Sequence, residues 1–174
     1  LWPCMEIDEK LLKPYNPEET ESRIYGLWED NNFFNPDNLP MPSNETFCII
    51  MPPTNANGDL HAGHGLVMTI EDILVRFNRM CGKKTLWLPG NDHAGFETQV
   101  VYEKKLEKEG RSRFSLEPKK LYAEIMEFTQ RNRASINSQI RKLGASCDWS
   151  REKFTLDEDI IITVYQTFAH LAQD

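Results

Sequence analysis

Pro52-Pro53-Thr54-Asn55-Ala56-Asn57-Gly58-Asp59-Leu60-His61-Ala62-Gly63-His64-Gly65 decides the fold, because it joins two segments of opposite periodicity. Before it, Phe47-Cys48-Ile49-Ile50-Met51 reads as a short buried strand. After it, Leu66, Ile70, Ile73, Leu74, Phe77 and Met80 recur at helical spacing. The stretch is therefore a loop that hands a strand over to a helix N-terminus, where backbone N–H groups and the positive end of the dipole favour an anion. Three glycines allow that anion to approach the main chain closely. A phosphate site is expected here.

The helix should stop at Cys81-Gly82, where glycine can take a left-handed cap, and Thr85-Leu86-Trp87-Leu88 reads as a second strand. Strand, helix and strand make one βαβ unit. Parallel strands joined by a crossover helix predict an α/β fold with a doubly wound, Rossmann-like parallel sheet, which binds ligands beyond the carboxyl ends of its strands. The loop after 51 and the loop Pro89-Gly90-Asn91-Asp92-His93-Ala94-Gly95 both leave those ends.

Upstream, Asn16 caps a helix expected at about residues 17–34, with Pro17 at its first position, Glu18 and Glu19 in its first turn, and Ile24, Leu27 and Trp28 as its buried stripe. A proline-rich loop from Pro36 to Asn44 leads to the first strand. Downstream, a helix ends at Gly110, and Ser115 caps a longer one with Pro118 in its first turn. Leu121, Ile125, Phe128, Ile136, Ile140 and Leu143 line one side of it, and Gly144 closes it. Asp157-Glu158-Asp159 open a final apolar helix whose Ile160, Ile161, Val164 and Phe168 face is expected to need a cover. Three regions follow: residues 1–14 as a disordered or upstream leader, 15–44 as a helix and loop, and 45–174 as the first part of a nucleotide-binding domain.

Composition narrows the class. With 174 residues, 40% of them hydrophobic, the chain can bury one core, and no run is apolar for long enough to span a bilayer. Cys4, Cys48, Cys81 and Cys147 fall at unrelated spacings and no secretory leader precedes them, so a reducing cytoplasm is expected. The net charge is −7, yet residues 99–143 carry 11 basic against 6 acidic side chains. A polyanion would be drawn to that part; a solvated helix face accounts for it equally, since Arg111, Lys119, Arg131 and Lys142 form no cluster.

His61 and His64, three apart, share a helical face. Zinc would need further ligands and no H-E-x-x-H arrangement exists, so no metal site is read here. Contact with phosphate and a purely structural capping pair both remain open on spacing alone. Gly58, Gly63 and Gly65 do not fit G-x-G-x-x-G, and Gly82-Lys83-Lys84-Thr85 lacks the order of a P-loop. Asp92, past a strand end, can hold an ammonium group or accept backbone N–H bonds in its turn, with His93 as an orienting neighbour. Trp28, Trp87 and Trp149 read as core or interface, and His170 as structural.

Together, Pro52-Pro53-Thr54-Asn55, His61-Ala62-Gly63-His64, Leu88-Pro89-Gly90-Asn91-Asp92-His93-Ala94-Gly95 and Leu143-Gly144-Ala145-Ser146-Cys147-Asp148-Trp149-Ser150 resemble the class I aminoacyl-tRNA synthetases, in their valine-specific branch. The second segment is similar to the class motif His-Ile-Gly-His, and His93-Ala94-Gly95 points to the valine branch rather than the isoleucine or leucine relatives, which remain an alternative. The resemblance implies ATP-dependent joining of valine as valyl-adenylate, with Mg2+, and transfer to tRNA(Val). It implies that His61 and His64 act on the ATP phosphates, that Gly63 leaves room for adenine, that Asp92 holds the valine ammonium, and that Pro52, Pro53 and Asn55 shape the side-chain pocket. Thr54 stands where that family commonly has proline and Asn91 where it commonly has threonine. No Lys-Met-Ser-Lys-Ser-like loop, editing insertion or anticodon-binding domain is found. The chain is thus expected to be the N-terminal part of a longer synthetase, weakly active alone, with a noncatalytic tRNA-binding or regulatory paralogue as the competing reading.

Overall fold

The computed structural model describes residues 14–40 and 44–173. The expected leader at 1–14, apart from Pro14, lies outside them, as does Cys4. Helix α1 spans Pro17–Asp30 and is capped by Asn16, whose side chain accepts from Glu18 N. It is shorter than expected: Asn31 to Phe34 turn away, with Asn32 in the left-handed region at φ 53°. Its buried contact is Tyr25 rather than Leu27, which is exposed.

Strand β1 (Thr46–Ile50), helix α2 (Ala62–Met80) and strand β3 (Lys84–Leu88) form the expected unit. β1 and β3 pair in parallel, with Thr46 opposite Lys84 and Ile50 opposite Leu88. Between β1 and α2 lies β2 (Thr54–Asn55), and β4 (Gly90–Asp92) follows β3. Pro89-Gly90-Asn91-Asp92, read as loop, thus contains a strand. β4 sits between β2 and β5 (Lys153–Phe154) in a second, three-stranded parallel sheet. Strands of two or three residues are too short for periodicity to reveal; their pairing creates them.

Helix α3 spans Gly95–Lys108 and ends before Gly110 at φ 71°. Helix α4 spans Pro118–Lys142. Its N-cap is Glu117, not Ser115: proline sets the first helical position and keeps the preceding residue extended, while Ser115 closes a 3-10 turn at Arg113–Ser115 capped by Ser112. Helix α5 spans Glu158–Leu171 behind Asp157.

The core gathers Met51, Met68, Val75, Trp87, Ile136, Ile140, Ala145 and Cys147, with Phe47, Ile49, Leu60 and Trp149 packed against it. On α2 the buried positions are Met68, Val75 and Asn78. The apolar stripe from Leu66 to Met80 that marked this helix is instead exposed, Ile73 at 61% and Phe77 at 60%. Helical spacing reports that a face seeks cover, not that these residues supply it. Ile161, Val164 and Phe168 on α5 are likewise exposed, while Ile160 is half-buried.

Segment 143–150 is clamped to α2 and α1. Arg76 donates to Gly144 O at 2.8 Å, Arg79 donates to Ser146 O at 2.7 Å, and Asp72 accepts from Ser146 N at 3.0 Å. Tyr25 Oη donates to Ala145 O at 2.7 Å and accepts from Trp149 Nε1 at 2.8 Å; burial pushes its phenol pKa up. Burial likewise pushes the Cys147 thiol up, which keeps it protonated.

Candidate functional site

The two histidines cap their own helix. His61 is the N-cap of α2, and its Nδ1 accepts from Gly63 N at 3.0 Å and His64 N at 3.4 Å. His64 Nδ1 reaches back to accept from His61 N at 3.3 Å, closing a reciprocal capping box. The rings stack with centroids 3.8 Å apart and planes 20° from parallel. Two of the donors that an anion would seek at this helix start, Gly63 N and His64 N, are therefore already taken by His61. Gly63 is required by the cap itself, since a Cβ there would lie 2.9 Å from His61 Cε1.

This capping carries a chemical consequence. A ring nitrogen that accepts is unprotonated, so each neutral imidazole bears its hydrogen on Nε2. Neither Nε2 has a hydrogen-bond partner among the described residues. Burial, then the neighbouring His61 ring, holds His64 below the usual imidazole range, which favours this neutral form. The pair presents two outward N–H donors without a net charge.

From Asn55 to His61 the chain is pinned to α4. Asn132 donates to Ala56 O at 3.3 Å, Gln139 Oε1 accepts from Leu60 N at 2.8 Å, and Asp59 Oδ1 accepts from Gln139 Nε2 at 2.7 Å. Asn55 lies opposite Asp92 in the β2–β4 pair. Asp92 Oδ1 accepts from Ala94 N at 2.9 Å and from Thr155 Oγ1 at 3.1 Å, the turn role open to it from sequence. Its Oδ2 has no hydrogen-bond partner among the described residues. His93 is an orienting neighbour, with Nδ1 3.5 Å from Asp92 Oδ1.

Pro53, but not Pro52, lines a small apolar cavity of about 170 Å³ beyond the ends of β1 and β3, with Ile50, Leu88, Asn91, Phe154 and Ile160. Both prolines are exposed. No hydrogen bond joins the histidine pair to Asp92 among the described residues. A larger cavity of about 650 Å³ between α1, α2 and α4 holds none of these side chains, and four of its charged groups pair with one another, Arg76 with Asp72 and Arg141 with Glu29.

Beneath Asp92 runs a polar network that sequence reading did not find. Thr54 Oγ1 donates to Asn91 Oδ1 at 3.1 Å, so the two residues that depart from the resembled pattern face each other. Asn91 Nδ2 donates to Asn137 Oδ1 at 2.9 Å and to Glu152 Oε1 at 3.1 Å. Glu152 Oε1 also accepts from Arg133 and Asn137, each at 2.9 Å. Asn91 is buried and fully partnered, which makes the network a rigid support. Its members lie up to a hundred residues apart with no local signal.

A family profile described as tRNA synthetases class I (I, L, M and V) matches residues 23–174. The chain belongs to this class I tRNA synthetase family. It is 45% identical over 162 residues to the Valine--tRNA ligase of Treponema denticola, covering 93% of this chain and 18% of that protein. Against Valine--tRNA ligase, chloroplastic/mitochondrial 2 of Arabidopsis thaliana it is 47% identical over 152 residues, covering 87% of this chain and 15% of the relative. The synthetase chain thus spans less than a fifth of the length of these relatives. LeuRS from Agrobacterium radiobacter K84, solved in a ternary complex with tRNA and LeuAMS, shares the fold with a TM-score of 0.72 at 19% identity, over 92% of this chain and 18% of that one. The synthetase fold therefore agrees with the parallel α/β architecture. No described helix is long and apolar enough to cross a membrane.

Proposed function

We propose that this chain carries part of the site that activates valine with ATP, forming valyl-adenylate for transfer to tRNA(Val). Asp92 Oδ2 receives the valine ammonium, and Pro52, Pro53 and Asn55 bound the side chain. His61 and His64 donate their Nε2–H groups to the ATP phosphates, and Gly63 keeps the turn open toward the adenine. The valine carboxylate attacks the α-phosphorus, one P–O bond forms, and the bond to the pyrophosphate oxygen breaks. Neutral donors aimed at the phosphates stabilise charge as it develops, while Asp92 fixes the attacking group in line. Mg2+ prefers oxygen ligands, whereas the histidine turn offers ring nitrogens, so the ion belongs to the ATP substrate. A reducing compartment such as the cytoplasm suits Cys48, Cys81 and Cys147, which stand as free thiols.

The observation that carries this reading is Asn55 opposite Asp92, with one carboxylate oxygen uncommitted, in a chain 45% identical to a Valine--tRNA ligase. Calorimetric titration of non-hydrolysable valyl-, isoleucyl- and leucyl-adenylate mimics tests it. The valyl mimic should bind tightest, and Asp92→Ala, which removes the partner of the ammonium group common to all three, should weaken every one of them. Equal affinity for all three mimics, or an unaffected Asp92→Ala, would refute the proposal.

A further inference from the structure

We infer that Thr155 is a positioning residue for this site: its hydroxyl bridges His93 and Asp92, fixes the tautomer of the histidine, and turns one carboxylate oxygen of Asp92 toward the ligand ammonium. Thr155 directly follows β5 and is held by its own N–H, which donates to Asn91 O at 3.2 Å. That bond extends the β4–β5 ladder and delivers the hydroxyl beside residues 92 and 93. Thr155 Oγ1 accepts from His93 N at 2.9 Å, lies 2.6 Å from His93 Nδ1, and lies 3.1 Å from Asp92 Oδ1.

A hydroxyl has one hydrogen to donate and two lone pairs with which to accept. If Thr155 gave its hydrogen to His93 Nδ1, its oxygen would face the Asp92 oxygen with no proton between them. Only one assignment satisfies all three contacts. His93 N–H and His93 Nδ1–H both donate to Oγ1, and Oγ1–H donates to Asp92. His93 Nδ1–H is also the form attracted to Asp92 Oδ1, 3.5 Å away. With Ala94 N and Thr155 both on Oδ1, Asp92 rotates no further and Oδ2 is the oxygen left for a cation. Thr98 Oγ1 donates to His93 O at 2.6 Å, and the His93 ring meets Phe154 edge-on at 6.5 Å, so the histidine is held from both sides.

The role at the ammonium rests on the proposed reading of Asp92; the tautomer assignment does not. Two measurements on the whole chain separate them. Ring ¹H–¹⁵N correlation spectra at about pH 8, where a free imidazole is neutral, read the tautomer directly. They should show His93 as Nδ1–H, and Nε2–H would overturn the relay. Titrations of the valyl-adenylate mimic and of the same mimic lacking its α-amino group then compare wild type, Thr155→Val and Thr155→Ser. Thr155→Val should weaken the amine-bearing ligand about tenfold and the deaminated one less than about twofold, as expected for loss of one hydrogen bond to a charged group. Thr155→Ser, which keeps the hydroxyl, should restore binding. Equal weakening of both ligands, or none, would overturn the role at the ammonium. A wild type that binds both ligands equally would refute Asp92 as the ammonium group, leaving the spectra to decide the relay alone.

Discussion

His64 offers a perturbation that separates folding from ligand contact. Its Nδ1 closes the capping box by accepting from His61 N, while its Nε2 is unbonded. Replacement by Ala removes both nitrogens: loss of a cap costs about 1 kcal/mol of stability. Loss of one hydrogen bond to a charged phosphate costs about 1.5–3 kcal/mol of binding, or roughly 10- to 100-fold in Kd. Replacement by Glu does something different. A carboxylate at the third helical position can still accept from His61 N and is favoured by the dipole, so stability should hold or rise slightly. Within about 5 Å of a phosphate charge it opposes binding by about 1–3 kcal/mol, for effective dielectrics between bulk water and a protein surface. Urea unfolding and calorimetric titration with the valyl-adenylate mimic read the two quantities independently. The expected pattern is His64→Ala weaker in both and His64→Glu weaker in binding alone. A His64→Glu protein that folds normally and binds as tightly as wild type would refute the phosphate role and leave the histidines as a cap only.

Four further outcomes follow from the geometry. Because His64 is held below the usual imidazole range, the folded chain takes up its proton later than the unfolded chain does. Its contribution to stability is complete above about pH 6.5 and is lost as pH falls through the depressed folded value, so the stability gap between wild type and His64→Ala, followed by urea unfolding, should shrink on acidification. Gly90→Ala places a Cβ 3.1 Å from Lys153 O, backbone that cannot swing aside, and should part β4 from β5 and destabilise the chain by about 1–3 kcal/mol in a denaturant titration. Thr54→Val strands Asn91 Oδ1 in a buried site and should cost about 1–3 kcal/mol by the same assay. The uncovered α2 face should bind a hydrophobic dye and drive concentration-dependent association, and Ile73→Lys with Phe77→Glu should suppress both in fluorescence and light-scattering measurements.

The βαβ unit was legible because each signal is local. An apolar run, a helical repeat, a glycine at 82 and a second apolar run lie in order along fewer than fifty residues, and β1 and β3 pair in parallel accordingly. Glu117 displaced Ser115 as a cap because proline at 118 dictates where the helix can begin, a stronger constraint than a side-chain preference. The stripe on α2 marked the helix but not its packing: periodicity encodes the need of a face for cover, and here α2 packs on β1 and β3 through Met68 and Val75. At the site, His61, His64 and Asp92 were legible as residue types at a turn and a strand end, but Thr155, Glu152 and Asn137 were not. They join the site only because β5 pairs with β4 and α4 lies against Asn91, contacts that bridge 46 to 63 positions.

The capping and phosphate roles of the histidines, alternatives on spacing alone, are compatible once the hydrogens are placed. A cap uses only Nδ1, and by holding that nitrogen as an acceptor it compels the hydrogen onto Nε2. The backbone of α2 thereby does for His61 and His64 what Thr155 does, in the opposite sense, for His93: a neighbouring group selects the tautomer and so decides which edge of the ring can donate. A histidine locked in this way loses little freedom when a ligand arrives, and a neutral donor does not trap an anion that must later leave. The same reasoning explains why glycine stands at 63. A side chain there would push the His61 ring off its cap, release Nδ1, and return both rings to a mixture of tautomers. Loss of the preferred ring edge, rather than loss of space for a ligand, is the first consequence expected of filling that position.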